Sequence, residues 1–202
     1  MRKYDLKYRT RALTAGGSSV LLPCFFPSIP SVKTNLLPVD YLEFLVAAGH
    51  PAFLVSAYDV AKAEPDQQER MLALLSRAVD AGQMVLMDSG NYESFWKGDR
   101  DCDVAEYRDV AASSPHHLCF CHDNQSPPAT AEAIAADVVA GVLRDQEAAR
   151  WMVAPIVHGG RELLPDAVRL VAGELFPPLI AVPERALGDG ILARVVSMGD
   201  YR

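Results

Sequence analysis

At 202 residues, half of them apolar and 22% charged, the chain is long enough to bury a real core and too hydrophobic to be disordered. Its 19 Lys and Arg stand against 26 Asp and Glu, and the formal charge of -7 argues against a broad basic groove for nucleic acid while allowing a local patch. No apolar run approaches the roughly 20 residues of a membrane span and the start lacks the apolar stretch of a secretory signal, so a cytoplasmic protein with no membrane partner is expected.

The basic head, Arg2, Lys3, Lys7, Arg9 and Arg11, reads either as a candidate nucleic-acid patch or as a solvated terminus. Ser18 to Phe25 is the first predicted strand, followed by a long loop with Pro27, Pro30 and Lys33. Val39 to Ala48 is helical, with Asp40 near its start. Ala52 to Ala57 is the second strand, ending near Tyr58 and Asp59. Asp66 to Ala81 is a strong helix whose apolar stripe is Met71, Leu72, Leu74, Leu75 and Val79.

Met84 to Met87 forms the third strand, ending in Asp88-Ser89-Gly90 and a polar, aromatic loop. Asp103 to Ala112 is a weaker helix and His117 to Cys121 the fourth strand. Pro127-Pro128-Ala129-Thr130 precedes an alanine-rich helix from about Ala131 to Leu143, a composition that favours helix and close packing. Met152 to Val157 is the fifth strand, with Glu162 to Ala172 its helix. Leu179 to Val182 is the sixth strand, and Ala186 to Val196 can be helical despite Gly188 and Gly190.

Alternating apolar strands and helices imply an α/β fold with a parallel sheet covered on both sides. Six βα units make either an open doubly wound sheet or three quarters of an eight-stranded barrel. In both, ligands sit at the C-terminal ends of the strands. That rim gathers Tyr58 and Asp59, Asp88 to Glu93, His122 to Gln125, then His158, Gly159 and Gly160, and last Glu184 with Arg185.

The set suits a planar polar ligand. Asp88 and Asp123 can accept from ring or exocyclic N–H groups. Gly159-Gly160 allows close backbone approach, or is simply a strand-to-helix turn. Tyr92 or Phe120 can stack. His158 is a ligand group or a core histidine, and Glu184 a rim group, the partner of Arg185 or a cap of the following helix. There is no GxGxxG, Walker A, HExxH or GxSxG sequence, so no cofactor and no metal is expected. The four cysteines, Cys24, Cys102, Cys119 and Cys121, contain no CxxC; they read as reduced thiols, with Cys119 and Cys121 expected on opposite faces of their strand.

In order along the chain, these motifs resemble the tRNA-guanine transglycosylases (queuine- and archaeosine-type tRNA-ribosyltransferases) and relatives acting on DNA. The family's Asp-Ser-Gly-Gly-Phe-Gln is similar to Asp88-Ser89-Gly90-Asn91-Tyr92-Glu93, and its Phe-Asp to His122-Asp123. Its Gln-Gly-Gly resembles His158-Gly159-Gly160, and its Val-Gly-Glu resembles Val182-Pro183-Glu184. The resemblance implies a TIM-type barrel whose rim binds guanine or a 7-deazapurine. Asp88 would be the acid-base group, and Asp123 would hold the base with His158 and Glu184. A further aspartate would act as sugar nucleophile. Asn91, Glu93, His158 and Pro183 depart from the family pattern. The nucleophile and the cysteine-rich zinc region have no counterpart up to Arg202.

The expectation is therefore one domain over 1–202: a partial or reduced barrel of about six βα units, lacking the family's last strands. Its function would be base recognition or exchange in tRNA or DNA modification (queuosine-type chemistry), as part of a split or truncated glycosyltransferase. The alternatives are a non-catalytic base-binding subunit, or a small nucleoside hydrolase or deoxyribosyltransferase using Asp59, Asp88 and Glu93. A six-stranded sheet cannot close as an eight-stranded barrel does, so a homodimer or complementary subunit is expected to cover it.

Overall fold

Every strand of the central sheet is a short apolar run without polar interruption, the pattern of a strand buried on both faces. Met84–Asp88, for example, is buried along its length until Asp88 itself, which is half-buried. A computed structural model describes residues 11–98, 103–149 and 152–198. The basic residues of the head other than Arg11, and Cys102, lie outside the described residues.

The chain opens with an antiparallel hairpin, β1 (Arg11–Ala15) and β2 (Ser18–Leu22), joined through Gly16 and Gly17. The parallel sheet follows, with β3 (Ala52–Ser56), β4 (Met84–Asp88), β5 (Leu118–Phe120) and β6 (Met152–Ala154) in that spatial order. Single parallel bridges extend it at both sides, Ser28 beside Leu54 and Ala181 beside Ile156. Strand positions thus follow one another across the sheet in sequence order.

The helices are α1 (Pro38–Ala47), α2 (Ala57–Ala61), α3 (Pro65–Asp80), α4 (Asn91–Lys97), α5 (Val104–Ser113), α6 (Ala131–Ala148), α7 (Leu164–Leu175) and α8 (Gly190–Ser197), with a 3-10 turn at Glu184–Leu187. Local chemistry sets several of their starts. Pro38 and Pro65 occupy first-turn positions, where a missing N–H costs nothing. Asp103 and Thr130 cap α5 and α6 through their side-chain oxygens.

Two cores result from the two faces of the sheet. Phe53, Val55, Val85, Met87, Cys119 and Val153 face the helices, meeting Leu42, Met71, Leu75 and Tyr107. Ala52, Leu54, Met84, Leu86, Leu118, Phe120 and Ala154 face the other way, onto Leu13, Ala15 and Val20 of the hairpin. Helices cover one face and the hairpin covers the other. A third cluster joins α6 and α7 through Ile134, Leu164, Ala167 and Val171.

This is a mixed α/β fold with helices packed on a parallel sheet, and it corrects the expected elements in four respects. Ser18 to Phe25 is not the first parallel strand; its first half is the second arm of the hairpin, and the parallel position belongs to Ser28 in the proline loop. Among the described residues, the six regular βα strands reduce to four parallel strands and two single bridges. The polar loop after Gly90 is a helix, α4. Cys119 and Cys121 share the helix-facing core, because residues two apart on a strand point the same way. Among the described residues, no helix is long and apolar enough to cross a membrane.

Candidate functional site

Register decides which side chains meet at the rim. Ser56 and Asp88 are paired across β3 and β4, so the two strands end at the same level. After Asp88 the chain reverses through Gly90, whose φ of +84° belongs to the left-handed region. α4 then returns Glu93 toward the strand ends, and α2 does the same for Asp59 directly after β3. Asp59, Asp88, Glu93 and Asp123 are near enough to perturb one another's ionisation.

Their surroundings push them apart. Burial first, then the negative fields of Glu93, Asp123 and Asp59, raise the Asp88 acid well above the carboxylate range. Asp88 keeps some exposed surface, but its Oδ1 is buried without a hydrogen-bond partner. Burial, with Asp59 adding to it, pushes the Glu93 acid up to about 7. Asp59 is raised by burial, against the opposing effect of Ser31 and of Lys97, whose Nζ stands 3.2 Å from Oδ1.

Asp123 goes the other way. Burial would raise it, but the groups gathered around it outweigh that and hold it below the usual range. Oδ1 accepts from Ser89 Oγ at 2.5 Å and Asn91 Nδ2 at 2.6 Å. Oδ2 accepts from Gln125 Nε2, and His158 Nε2 stands 3.0 Å away. That last contact is at ion-pair distance and is the foremost of the effects that lower Asp123. Asp123 is therefore the hub that ties the ends of β4, β5 and β6 together.

A cleft of about 270 Å³ opens beside the hub, lined among others by Asn91, His122, Asp123, Gln125, Arg144 and His158. Beneath it, Asp145 of α6 is 1% exposed and accepts from Arg108 at 2.9 and 2.8 Å and from the His122 N–H at 2.8 Å. This second anchor fixes the backbone next to Asp123.

Compared with models of known protein families and with curated protein sequences, the chain matches none. Among the described residues, no three His, Cys, Asp or Glu groups gather in a way that could hold a metal ion. Cys119 and Cys121 lie in the helix-facing core, where burial pushes their thiols up to about 11 and about 12.

The expected site residues separate into groups. Asp88, Glu93, Asp123 and His158 converge on the rim. Gly159 lies in the turn after β6, where a Cβ would come within 3.0 Å of Ile134 Cδ1, while Gly160 accepts from the Leu163 and Leu164 N–H groups; this is a strand-to-helix turn. Glu184 is largely exposed and paired with Arg194. Tyr92 is exposed on α4, edge-on to Trp96, with Lys33 Nζ 3.6 Å above the Trp96 ring. Phe120 is buried under the hairpin face and cannot stack on a ligand. Sequence reasoning missed the roles of Gln125, Asp145, Ser31 and Lys97, and read Asn91 only as a lost glycine.

Proposed function

We propose that the rim is a nucleobase site serving base recognition or base exchange in tRNA or DNA modification, the sequentially ordered sheet being a reduced TIM-type barrel. One observation carries the reading: neighbouring strand ends hold two carboxyl groups whose surroundings act in opposite directions, burial and nearby acids raising Asp88, and His158, Ser89 and Asn91 lowering Asp123. An ionised carboxylate matches the N–H edge of guanine or a 7-deazaguanine. A neutral carboxyl can deliver a proton to a leaving base and take one from an incoming base, which is how paired acids divide such work.

Asp123 already accepts from protein groups, so a base must replace one of them. Gln125 is the donor to replace, since it is exposed and lines the cleft. Asn91, Ser89 and His158 would then orient the carboxylate. Glu184 and the Gly159-Gly160 turn would stand at the margin of the site rather than at its centre. The sheet's outer position at Ala181 rests on one bridge, and we propose that a second copy or a complementary subunit extends it there.

A second reading has its own observation. Asp59, Asp88 and Glu93 form a coupled acid cluster, the group a nucleoside hydrolase or deoxyribosyltransferase would need. Incubation of the full chain with labelled guanine or 7-deazaguanine and tRNA or DNA tests both. Incorporation supports exchange, binding without incorporation supports a base-binding subunit, and release of base from a nucleoside supports hydrolysis. No saturable binding of either base overturns the nucleobase site.

A further inference from the structure

The cleft beside Asp123 has a second wall, supplied by α6. Ile134, Asp137, Val138, Gly141 and Arg144 line it at spacings of three and four residues, so one face of the helix runs along the cleft. Two of these side chains carry charge, and they differ in what already engages them. Asp137 accepts from Asn124 Nδ2 at 2.9 Å. Arg144 pairs with Asp145 only at 3.7 Å, from Nε. That carboxylate is 1% exposed and is already held by two nitrogens of Arg108 and by the His122 N–H. Arg144 thus stands at the margin of an acid that other donors satisfy, with about half of its own side chain exposed.

Gly141 shapes where the guanidinium lies. A Cβ there would come 3.7 Å from Arg144 Nη2, so the side chain folds back along the helix, over the glycine and into the cleft wall. The contact with Asp145 is longer than a hydrogen bond, which leaves the N–H donors of the planar fork available. Such a fork matches a carboxylate better than a single ammonium does.

We propose that Arg144 is a specificity-determining residue of this cleft, selecting a base that carries a carboxylate on the edge opposite its N–H donors. The selection deepens the nucleobase reading above and rests on it. In guanine and 7-deazaguanine the ring N–H and the amino group lie on one side of the bicycle, and position 7 lies on the other. A base whose donor edge meets Asp123 therefore turns position 7 away from that carboxylate, toward the α6 wall. A carboxylate at position 7 meets Arg144 in the two-pronged geometry that guanidinium and carboxylate share. Other substituents fit less well. A cationic group would face the like charge of Arg144, and would have to displace Asn124 to reach Asp137. An unsubstituted ring leaves the fork to water.

Calorimetric titration of the full chain with 7-deazaguanine, its 7-carboxy derivative and its 7-aminomethyl derivative is the test. The carboxylated base is expected to bind on the order of tenfold more tightly than the parent, and the aminomethyl base no more tightly than the parent. Arg144→Gln, shown to be folded by a thermal melt, is expected to bring the ratio of carboxylated to parent affinity to about one. Arg144→Lys is expected to keep part of the preference, since the charge survives and the fork does not. A merely structural Arg144 would lower all three affinities together and leave the ratio where it was. A ratio near one in the wild type, or a ratio unaltered in folded Arg144→Gln, overturns the proposal. So does a preference for the aminomethyl base that Asp137→Asn removes. Should Arg144→Gln not fold, an unaltered ratio in Arg144→Lys counts in the same way. If the parent base still binds in any of these events, the base site stands without the selection; if none of the three bases binds, the nucleobase reading falls and the selection with it.

Discussion

Ser56 and Gly90 approach so closely that a Cβ on Gly90 would lie 2.2 Å from Ser56 Oγ. It would also lie 2.4 Å from Tyr58 Cβ and 3.1 Å from the Tyr58 backbone nitrogen. The turn that carries the chain from Asp88 into α4 therefore excludes any side chain on two counts, space and a φ of +84°.

Gly90→Ala is expected to destabilise the protein by about 2–4 kcal/mol, because backbone at Tyr58 cannot yield as a flexible side chain does. Urea denaturation measures it. A loss under about 0.5 kcal/mol, the range of an ordinary surface change, would show that the turn rearranges freely.

Asp123→Asn keeps the shape of the hub but sets a new donor against groups that already donate. A stability loss of about 1–3 kcal/mol is expected, along with a loss in base affinity of about 2–4 kcal/mol, roughly 30- to 1000-fold. The native Asp123 acid is lowered, so its stabilisation is present above the ordinary carboxylate pKa and is lost as pH falls through the native one. The wild type should therefore lose stability below about pH 4 more steeply than Asp123→Asn. Unchanged guanine affinity in a folded variant removes Asp123 from the site.

Glu93 gives the opposite slope. Its native acid is raised from 4.5 to about 7, so between those values the folded chain holds a proton that the unfolded chain has released. Stability consequently falls as pH rises through that window and levels off above it, by on the order of 3 kcal/mol from this group. The raised Asp88 acid adds to the fall. Glu93→Gln should flatten the dependence of the urea midpoint between pH 5 and 8. An unaltered slope would mean that Glu93 ionises freely in the native state.

The four central strands were legible because each is a continuous apolar run, and the strand-end acids Asp88 and Asp123 followed from where those runs stop. The hairpin was misread although its signals are present. Ser18–Leu22 alternates buried and exposed residues, the mark of a strand covered on one face, and a Gly16-Gly17 pair precedes it. The hub was not legible. Apart from Gln125, which is local, its partners Ser89, Asn91 and His158 come from other segments, and only the sheet register brings them to one carboxylate. Glu184 looked like a rim group because Arg194, ten residues on, could not be known to face it.

Arg108 and Arg70 both pair with acids, and they should differ widely. Arg70 reaches Asp40 and Glu43 at the surface, with about half of every side chain exposed, so Arg70→Ala should cost about 0–1 kcal/mol. Arg108 pairs with Asp145, which is 1% exposed, and removing it leaves a buried charge short of its main partner. Arg108→Ala should cost about 3–5 kcal/mol and loosen the backbone at His122, since the same carboxylate holds that N–H. Parallel denaturation of the two variants checks the contrast, and equal costs would show that Asp145 finds another partner, Arg144 being 3.7 Å away.

Asp88→Asn separates the chemistry of the site from its architecture. Burial and the neighbouring acids raise the Asp88 carboxyl well above the usual range, which favours the form closest to the amide in shape and charge, and Oδ1 has no hydrogen bond to lose. The fold should tolerate the change, and at pH 8 the variant should melt at or above the wild-type temperature, because the raised acid no longer costs stability as pH rises. Guanine binding through Asp123 should survive. Exchange or hydrolysis at the glycosidic bond should fall by about 10²- to 10⁴-fold, since an amide can neither deliver nor accept the proton. Retained turnover in a folded Asp88→Asn protein would move the acid role to Glu93. A folded variant that loses base binding together with turnover would instead make Asp88 part of the recognition surface, and the division of labour between the two strand-end carboxyls would fail.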